Sequence, residues 1–324
     1  MIELVVKPDG AGQRVDKLVR KLLKAVPLSH VYKMFRTKKV RVNGARAQHD
    51  YLLKVGDKVT IRGEEKTLVG NASARPENTK RVEGAVRKDF AVVFEDEHLL
   101  VVDKPSGLAI HPGTGIHGAT LVDQARAYLG GTWPEGEFKP SPAHRLDRET
   151  SGVVIVAKTR KAMIGLTEQF TNAHPDKRYL TLAKGRFHKD SGEIDLRLSE
   201  HQQTLASKEE RGVNMQEALT KWRVVARGHD CALLECRIET GRTHQIRRHL
   251  ASIGHPVVGD AKYGDFPFNR RAKADWGVKR QMLHAAYLRV RHPIVGNSLE
   301  FKAALPEDFV DACKRAGVAL PAPE

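Results

Sequence analysis

The stretch that most constrains this chain is the apolar run Val153-Val154-Ile155-Val156-Ala157, entered through the turn Ala143-His144-Arg145-Leu146-Asp147-Arg148-Glu149-Thr150-Ser151-Gly152. A strand with no polar position has no face to give to water, so it must lie inside a sheet covered on both sides. Asp147 stands at the mouth of that strand. A carboxylate there is desolvated on one side and needs cationic neighbours to stay ionised. Arg145 and Arg148 are the nearest in sequence. Read structurally, this is an Asp–Arg turn closed by a Thr-Ser cap. Read functionally, it is a carboxylate aimed from the end of a buried strand into a cleft.

The 324 residues are enough for a large core and a smaller domain, and the apolar share of 40% is ordinary for a globular chain. No stretch reads as a membrane span or a signal core, so a cytoplasmic location is expected. Cys231, Cys236 and Cys313 form neither an even disulfide framework nor a C-x-x-C pair, so no thiolate metal site is expected. The net charge of +16 is uneven: residues 1–65 hold 15 Lys+Arg against 7 Asp+Glu, and residues 66–88 hold 6 against 2. Three quarters of the excess thus lies in the first 88 residues, which points to a polyanion-binding appendage on a nearly balanced main domain.

After a short strand, Arg14 to Val26 carries Val15, Leu18, Val19, Leu22, Leu23 and Val26 at helical spacing, with lysines and arginines opposite. Pro27 stops that helix, and Ser29 is the expected N-cap of a second one that turns Val31, Met34 and Phe35 inward. Val40-Arg41-Val42 then enters an Asn43-Gly44 hairpin turn, and Leu53 to Ile61 forms a turn and return strand. Residues 66–88 lack apolar periodicity and read as a flexible basic linker. The large domain, 89–324, opens with strands at Ala91–Glu95 and Leu99–Asp103. Further elements are expected as a helix from Leu121 to Leu129, another from Lys161 to Thr171, strands at Lys177–Gly185 and Cys231–Glu239, closing strands near Met282 and Phe301, and a helix from Pro306 to Ala316. His111-Pro112-Gly113-Thr114-Gly115 lacks the Gly-Lys-Ser/Thr ending of a P-loop, so no nucleotide is assigned.

The run His144-Arg145-Leu146-Asp147-Arg148-Glu149-Thr150-Ser151-Gly152 resembles the signature of the RluA-type RNA pseudouridine synthases. Matching blocks flank it. They are Glu95 to Gly113, Lys177-Arg178-Tyr179-Leu180, and Gly241-Arg242-Thr243-His244-Gln245-Ile246-Arg247 with His249. Tyr263 to Arg270 and Leu283-His284-Ala285 look most like the RluC-type members, which act on large-subunit ribosomal RNA. Two basic helices followed by V-R-V-N-G and V-G-D-K-V resemble the αL, or S4-like, RNA-binding domain, here 1–65. The resemblance implies an α+β fold: a mixed, largely antiparallel sheet with flanking helices and a central cleft. From the residues alone, Arg242 or the Arg247/His249 face could bind phosphates or be the cationic partner of Asp147. The resemblance favours Arg242 as that partner and implies catalytic roles for Asp147, Tyr179 and Arg242, with Arg242 holding Asp147 ionised and Tyr179 stacking on the target base. It implies substrate contacts at Arg145, His144, Lys104, Ile246 and Arg247, with Arg145 filling the space the flipped base leaves and Lys104 shaping the floor. In the S4-like domain Lys33, Arg36, Lys38, Lys39 and Arg41 would face RNA phosphates. Arg248 departs from the pattern, occupying a place expected to be apolar or small.

The implied reaction breaks the bond between uracil N1 and ribose C1′, turns the base and joins C5 to C1′. It is an isomerisation, so no cofactor, metal or nucleotide is expected. A carboxylate suits an anomeric carbon, either by adding to C1′ or by taking the C2′ proton; the residues leave both open. Tyr179 could assist loss of the C5 proton. A monomer acting on ribosomal RNA, free or in a precursor, is expected. Two other readings compete: a purely binding protein, and a hydrolase that releases free uracil.

Overall fold

The computed structural model describes residues 1–23, 26, 28–63, 87–113, 116, 118–133, 137–173, 175–199 and 215–320. The chain divides into two compact units, one of Met1–Ala85 with Gly131–Lys139 and one of Val86–Gly130 with Pro140–Glu324. The expected linker at 66–88, apart from its last two residues, lies outside the described residues, as do Pro27 and the Ser29 side chain.

In the first unit, strands β1 (Ile2–Val5), β2 (Val40–Val42), β3 (Ala45–Arg46) and β4 (Lys58–Ile61) form an antiparallel sheet in the order β1-β4-β2-β3. Helices α1 (Val15–Leu22) and α2 (Leu28–Arg36) complete the unit, so Ser29, expected as the N-cap of the second helix, is instead its second residue. Val15, Val19, Val31, Met34 and Phe35 are buried with Val40, Val59 and Ile61, as helical spacing requires. Leu22, expected inward, is exposed, because α1 ends there. The Asn43-Gly44 turn has φ of 52° and 78°, the left-handed pair a two-residue hairpin needs. Asn43 also binds the Asp57 carboxylate and the Lys58 amide, each at 2.8 Å, which ties the turn to β4.

The second unit is built on one sheet ordered β10-β13-β14-β9-β15-β8-β6-β5, with β7 added on β8 and β16 on β15. The strands are β5 (Ala91–Glu95), β6 (Leu99–Lys104), β7 (Ser141–Pro142), β8 (Ser151–Ala157), β9 (Asp176–Lys184), β10 (Ser191–Asp195), β13 (Leu219–Arg227), β14 (Cys231–Ile238), β15 (Leu283–Arg291) and β16 (Ser298–Lys302). The pair β11 (Leu198–Ser199) and β12 (Met215–Gln216) stands apart. All pairings are antiparallel except β8 with β15, so the mixed, largely antiparallel α+β architecture holds. All seven residues of β8 are buried, as its sequence demanded.

Helices cover both faces of this sheet. On one face α3 (Leu121–Tyr128) and α5 (Gln245–Ser252) join Leu146, Tyr179 and Leu283 in a core through Leu121, Ala125, Ile246 and Leu250. On the other, α6 (Phe266–Trp276) and α7 (Glu307–Arg315) pack Phe268, Ala272, Phe309 and Cys313 against Leu182 and Leu233. Helix α4 (Arg160–Glu168) continues as one wide turn through Ala173. Among the longer elements, strand β13 and helix α6 were not anticipated. The start of α6 was legible: Asp265 caps the Phe268 amide at 2.8 Å and Pro267 follows inside the first turn.

Gly152 explains the end of the central turn. It sits at φ 116°, and a Cβ there would lie 2.2 Å from the Ala285 carbonyl oxygen. The parallel approach of β8 and β15 closes only without a side chain at this point. Beside it, the Ser151 hydroxyl lies 2.9 Å from His284 Nδ1, and His284 Nε2 lies 3.1 Å from the Ala303 carbonyl.

Candidate active site

The residues before β8 form a turn in which three successive backbone carbonyls, of Asp147, Arg148 and Glu149, are engaged. The Asp147 carbonyl accepts from the Thr150 amide at 3.1 Å, and the Arg148 carbonyl accepts from the Gly107 amide at 2.9 Å. The Glu149 carbonyl accepts from the Ser106 hydroxyl at 2.9 Å and from Arg280 at 3.3 Å. Lys104 is the anchor beneath. Its side chain is wholly buried, and its Nζ donates to the carbonyls of Pro105, Leu108 and Arg148 at 2.8, 2.9 and 3.1 Å. Burial pushes its pKa down to about 7, against the pull of Glu149. With its three donors spent on backbone, Lys104 holds up the turn and does not reach the cleft as a substrate contact. The fixed turn aims the Asp147 side chain.

Asp147, its side chain 19% exposed, opens into a cleft lined by Arg145, Leu146, Thr150, Tyr179, Arg242, His244, Ile246 and Arg247. Its cationic partner is Arg247, whose Nη1 donates to Asp147 Oδ2 at 2.8 Å. The expected partner Arg242 lies on the same cleft but is exposed and donates through Nε to the Glu217 carbonyl at 3.2 Å. The reason is helical phase: Arg242 precedes α5 in an exposed turn, whereas Arg247 lies within α5 on its buried side. The sequence neighbours do not pair with Asp147 either. Arg148 turns to Glu149 at 3.2 Å, and Arg145 is exposed at the cleft mouth.

Arg247 is itself gripped from behind. Asp260, with no exposed surface, accepts from its Nε at 2.7 Å and its Nη2 at 2.9 Å, a two-point fork, and also accepts the amides of Lys262 and Tyr263. Burial disfavours the charged guanidinium, but the hydrogen bonds and charges of Asp260 and Asp147 outweigh it and hold the pKa well above the usual value. Burial likewise opposes the Asp260 carboxylate, and Arg247 overcomes it and lowers that pKa. The Tyr263 ring lies against the guanidinium at 5.2 Å. Sequence reading did not place Asp260 and Tyr263 in the site, although Tyr263 opens one of the matching blocks.

The remaining candidates divide. Tyr179, 9% exposed on β9, reaches the same cleft. Burial pushes its phenol pKa up, with the Asp147 charge adding, so the hydroxyl stays protonated and is a poor base. Ile246 gives one face to the core and one to the cleft. His144 is structural: its Nε2 accepts from the Ile155 amide at 3.1 Å and its ring stacks on Phe170, and burial pushes its pKa down to about 3. His249 is enclosed between Thr220 Oγ1 at 2.9 Å and the Leu196 carbonyl at 3.0 Å, which leaves it no reach to a phosphate. Arg248, the departure from the pattern, is buried and donates to the Ser199 carbonyl at 3.1 Å. In the first unit, Lys33, Arg36, Lys38 and Lys39 are exposed, while Arg41 is half-buried and donates to the Gly44 carbonyl at 3.1 Å.

Residues 98–252 match the RNA pseudouridylate synthase family, and residues 13–59 match the S4 domain. The chain is 34% identical over 300 residues to ribosomal large subunit pseudouridine synthase C of Vibrio cholerae, covering 93% of this chain and 92% of that protein. Identity to the protein of the same name from Escherichia coli K12 is 35% over 309 residues, covering 94% and 93%. Among solved structures, human RNA pseudouridylate synthase domain containing 4 superposes with a TM-score of 0.58 at 25% identity, covering 71% of this chain and 94% of that one. Human RNA pseudouridylate synthase domain containing 1 has the same score and identity, with 74% and 93% covered. With the buried strand, its cleft-facing Asp147 and the small basic unit, these likenesses establish that the chain belongs to the RNA pseudouridylate synthase family and carries an S4 domain.

Proposed function

We propose that this protein isomerises uridines of large-subunit ribosomal RNA to pseudouridine, with Asp147 as the catalytic carboxylate, as a cofactor-free monomer in the cytoplasm. The observation that carries this reading is the placement of Asp147: a carboxylate on a rigid turn, one oxygen held by Arg247 and the group facing a cleft shared with Tyr179. The names of the two bacterial relatives support the substrate class.

In the reaction the N1–C1′ bond breaks, the base turns, C5 bonds to C1′, C5 loses a proton and N1 gains one. Asp147 meets the ribose as a carboxylate, whether by adding to C1′ or by taking the C2′ proton, and the Arg247 hydrogen bond at 2.8 Å aims it. Tyr179, protonated, offers its ring to the uracil. Arg145, exposed at the mouth, takes the space of the base turned out of its stack. The exposed cations of α2 and the turn after it bind phosphates without selecting a sequence.

The test is release of tritium from large-subunit ribosomal RNA carrying 5-tritiated uridine, comparing wild type with Asp147→Asn. Release by wild type, loss in the variant with RNA binding kept, and no free uracil are expected. Free uracil as the product would make the protein a glycosidic hydrolase, and an active variant would remove Asp147 from the chemistry.

A further inference from the structure

A second side chain addresses Asp147, and neither the family likeness nor the mechanism above gives it a role. Arg247 takes Oδ2; facing Oδ1, at 3.6 Å, is Nε2 of His244. The backbone there is unusual. His244 stands immediately before α5 at φ 55°, ψ 28°, the left-handed region that non-glycine residues seldom enter. At a helix start a side chain usually caps the first amides, but the His244 side chain makes no cap bond. Instead its ring points into the cleft, where Nδ1 lies 3.0 Å from the Tyr263 hydroxyl and the two rings meet edge to face at 5.6 Å. Strain held at a cleft residue needs a compensating function.

The ring is surrounded by named charges. Burial lowers the His244 pKa first; Asp147 and Asp260 pull it up, while Arg247 and Lys262 push it down, and the net direction is down. The imidazole is therefore neutral near pH 7 and carries one proton on one of two nitrogens. If that proton were on Nδ1, the bare lone pair of Nε2 would face a carboxylate oxygen. With the proton on Nε2, the Tyr263 hydroxyl donates to Nδ1 and an N–H faces Asp147. Only the second arrangement has every partner complementary.

We infer that His244, its tautomer and orientation set by the Tyr263 hydroxyl, is a positioning residue that directs the second oxygen of Asp147. Arg247 and His244 then hold the carboxylate from two sides, so that it cannot rotate about its last bond when the ribose arrives. The 3.6 Å separation is longer than a hydrogen bond, as contacts that tighten only around a bound substrate commonly are. Tyr263 serves both arms, through its hydroxyl to His244 and its ring face to Arg247. This inference rests on the assignment of Asp147 as the reacting carboxylate.

The test uses the full chain with His244→Asn, His244→Gly and Tyr263→Phe, read by single-turnover tritium release, RNA affinity and thermal melting. Asn and Gly accept the left-handed backbone, so both variants fold without the strain and separate the ring's role from the backbone's. Expected are melting temperatures no lower than wild type, retained RNA affinity, a rate down about tenfold or more, and partial rescue of His244→Gly by added imidazole. Tyr263→Phe keeps the ring against Arg247 but takes away the hydroxyl that fixes the His244 tautomer, so it should lower the rate at retained RNA affinity, while Asp147, Asp260, Arg247 and Lys262 stay in place. Wild-type rates in both His244 variants, or in Tyr263→Phe, overturn the inference. A wild type that releases no tritium defeats the functional assignment itself, which is a separate outcome.

Discussion

Asp260→Asn removes one negative charge from a buried group of three and changes almost nothing in shape. In the native site one guanidinium serves two carboxylates: Asp260 takes Nε and Nη2, Asp147 takes Nη1, and Asp260 has no exposure to water. Breaking a buried ion pair from one side costs about 3–5 kcal/mol. The low end, about 3 kcal/mol, applies here because Asp147 remains as a counter-charge. For a folding unit of this size each kcal/mol lowers Tm by about 2–4 °C, so a fall of roughly 6–12 °C is expected. The chemistry should suffer separately. With Nε and Nη2 no longer gripped by a carboxylate, the guanidinium swings from its fixed angle and Asp147 loses its aim, so the single-turnover rate should drop about tenfold or more. Calorimetry and single-turnover tritium release measure the two effects on one sample. A Tm within about 2 °C of wild type, together with an unchanged rate, would refute the claim that Asp260 both supports Arg247 and shares its charge.

Lys104 gives a pH signature. Its folded pKa, about 7, lies below the ordinary lysine value, so between the two the unfolded chain binds the extra proton and stability rises with pH. Wild type should therefore gain melting temperature relative to Lys104→Met as pH rises from 7 towards 9; a constant difference would contradict the assignment. In the S4 unit, Lys33→Gln, Arg36→Gln and Lys39→Gln combined should flatten the plot of log affinity against log salt by about 0.7–0.9 for each phosphate no longer neutralised. An unaltered slope in filter binding would remove α2 and the turn after it from the RNA interface.

Features set within one or two turns of chain were legible in the sequence. The apolar run of β8 announced a buried strand, the spacing of Val15, Val19, Val31 and Phe35 announced two packed helices, and Asn43-Gly44 announced a hairpin. Each of these signals lies in residues that touch one another along the chain. The helix begun by Asp265 and Pro267 was equally local and was missed. Strand β13 gave less, because its burial does not alternate cleanly along its length.

Asp147 could be singled out without coordinates, because it stands at the mouth of a strand that has nowhere to go but inside, within a motif long enough to point to the family. What holds that carboxylate could not be read along the chain. Arg242 and Arg247 differ by five positions and lie about a hundred residues from Asp147, so which one reaches it depends on where α5 begins and how its face is turned. The same holds for Asp260 behind Arg247, for Tyr263 beneath His244, and for the main-chain carbonyls that occupy Lys104. A buried charge finds its partner through packing, and packing is a property of the whole sheet and its helices rather than of any one stretch of chain.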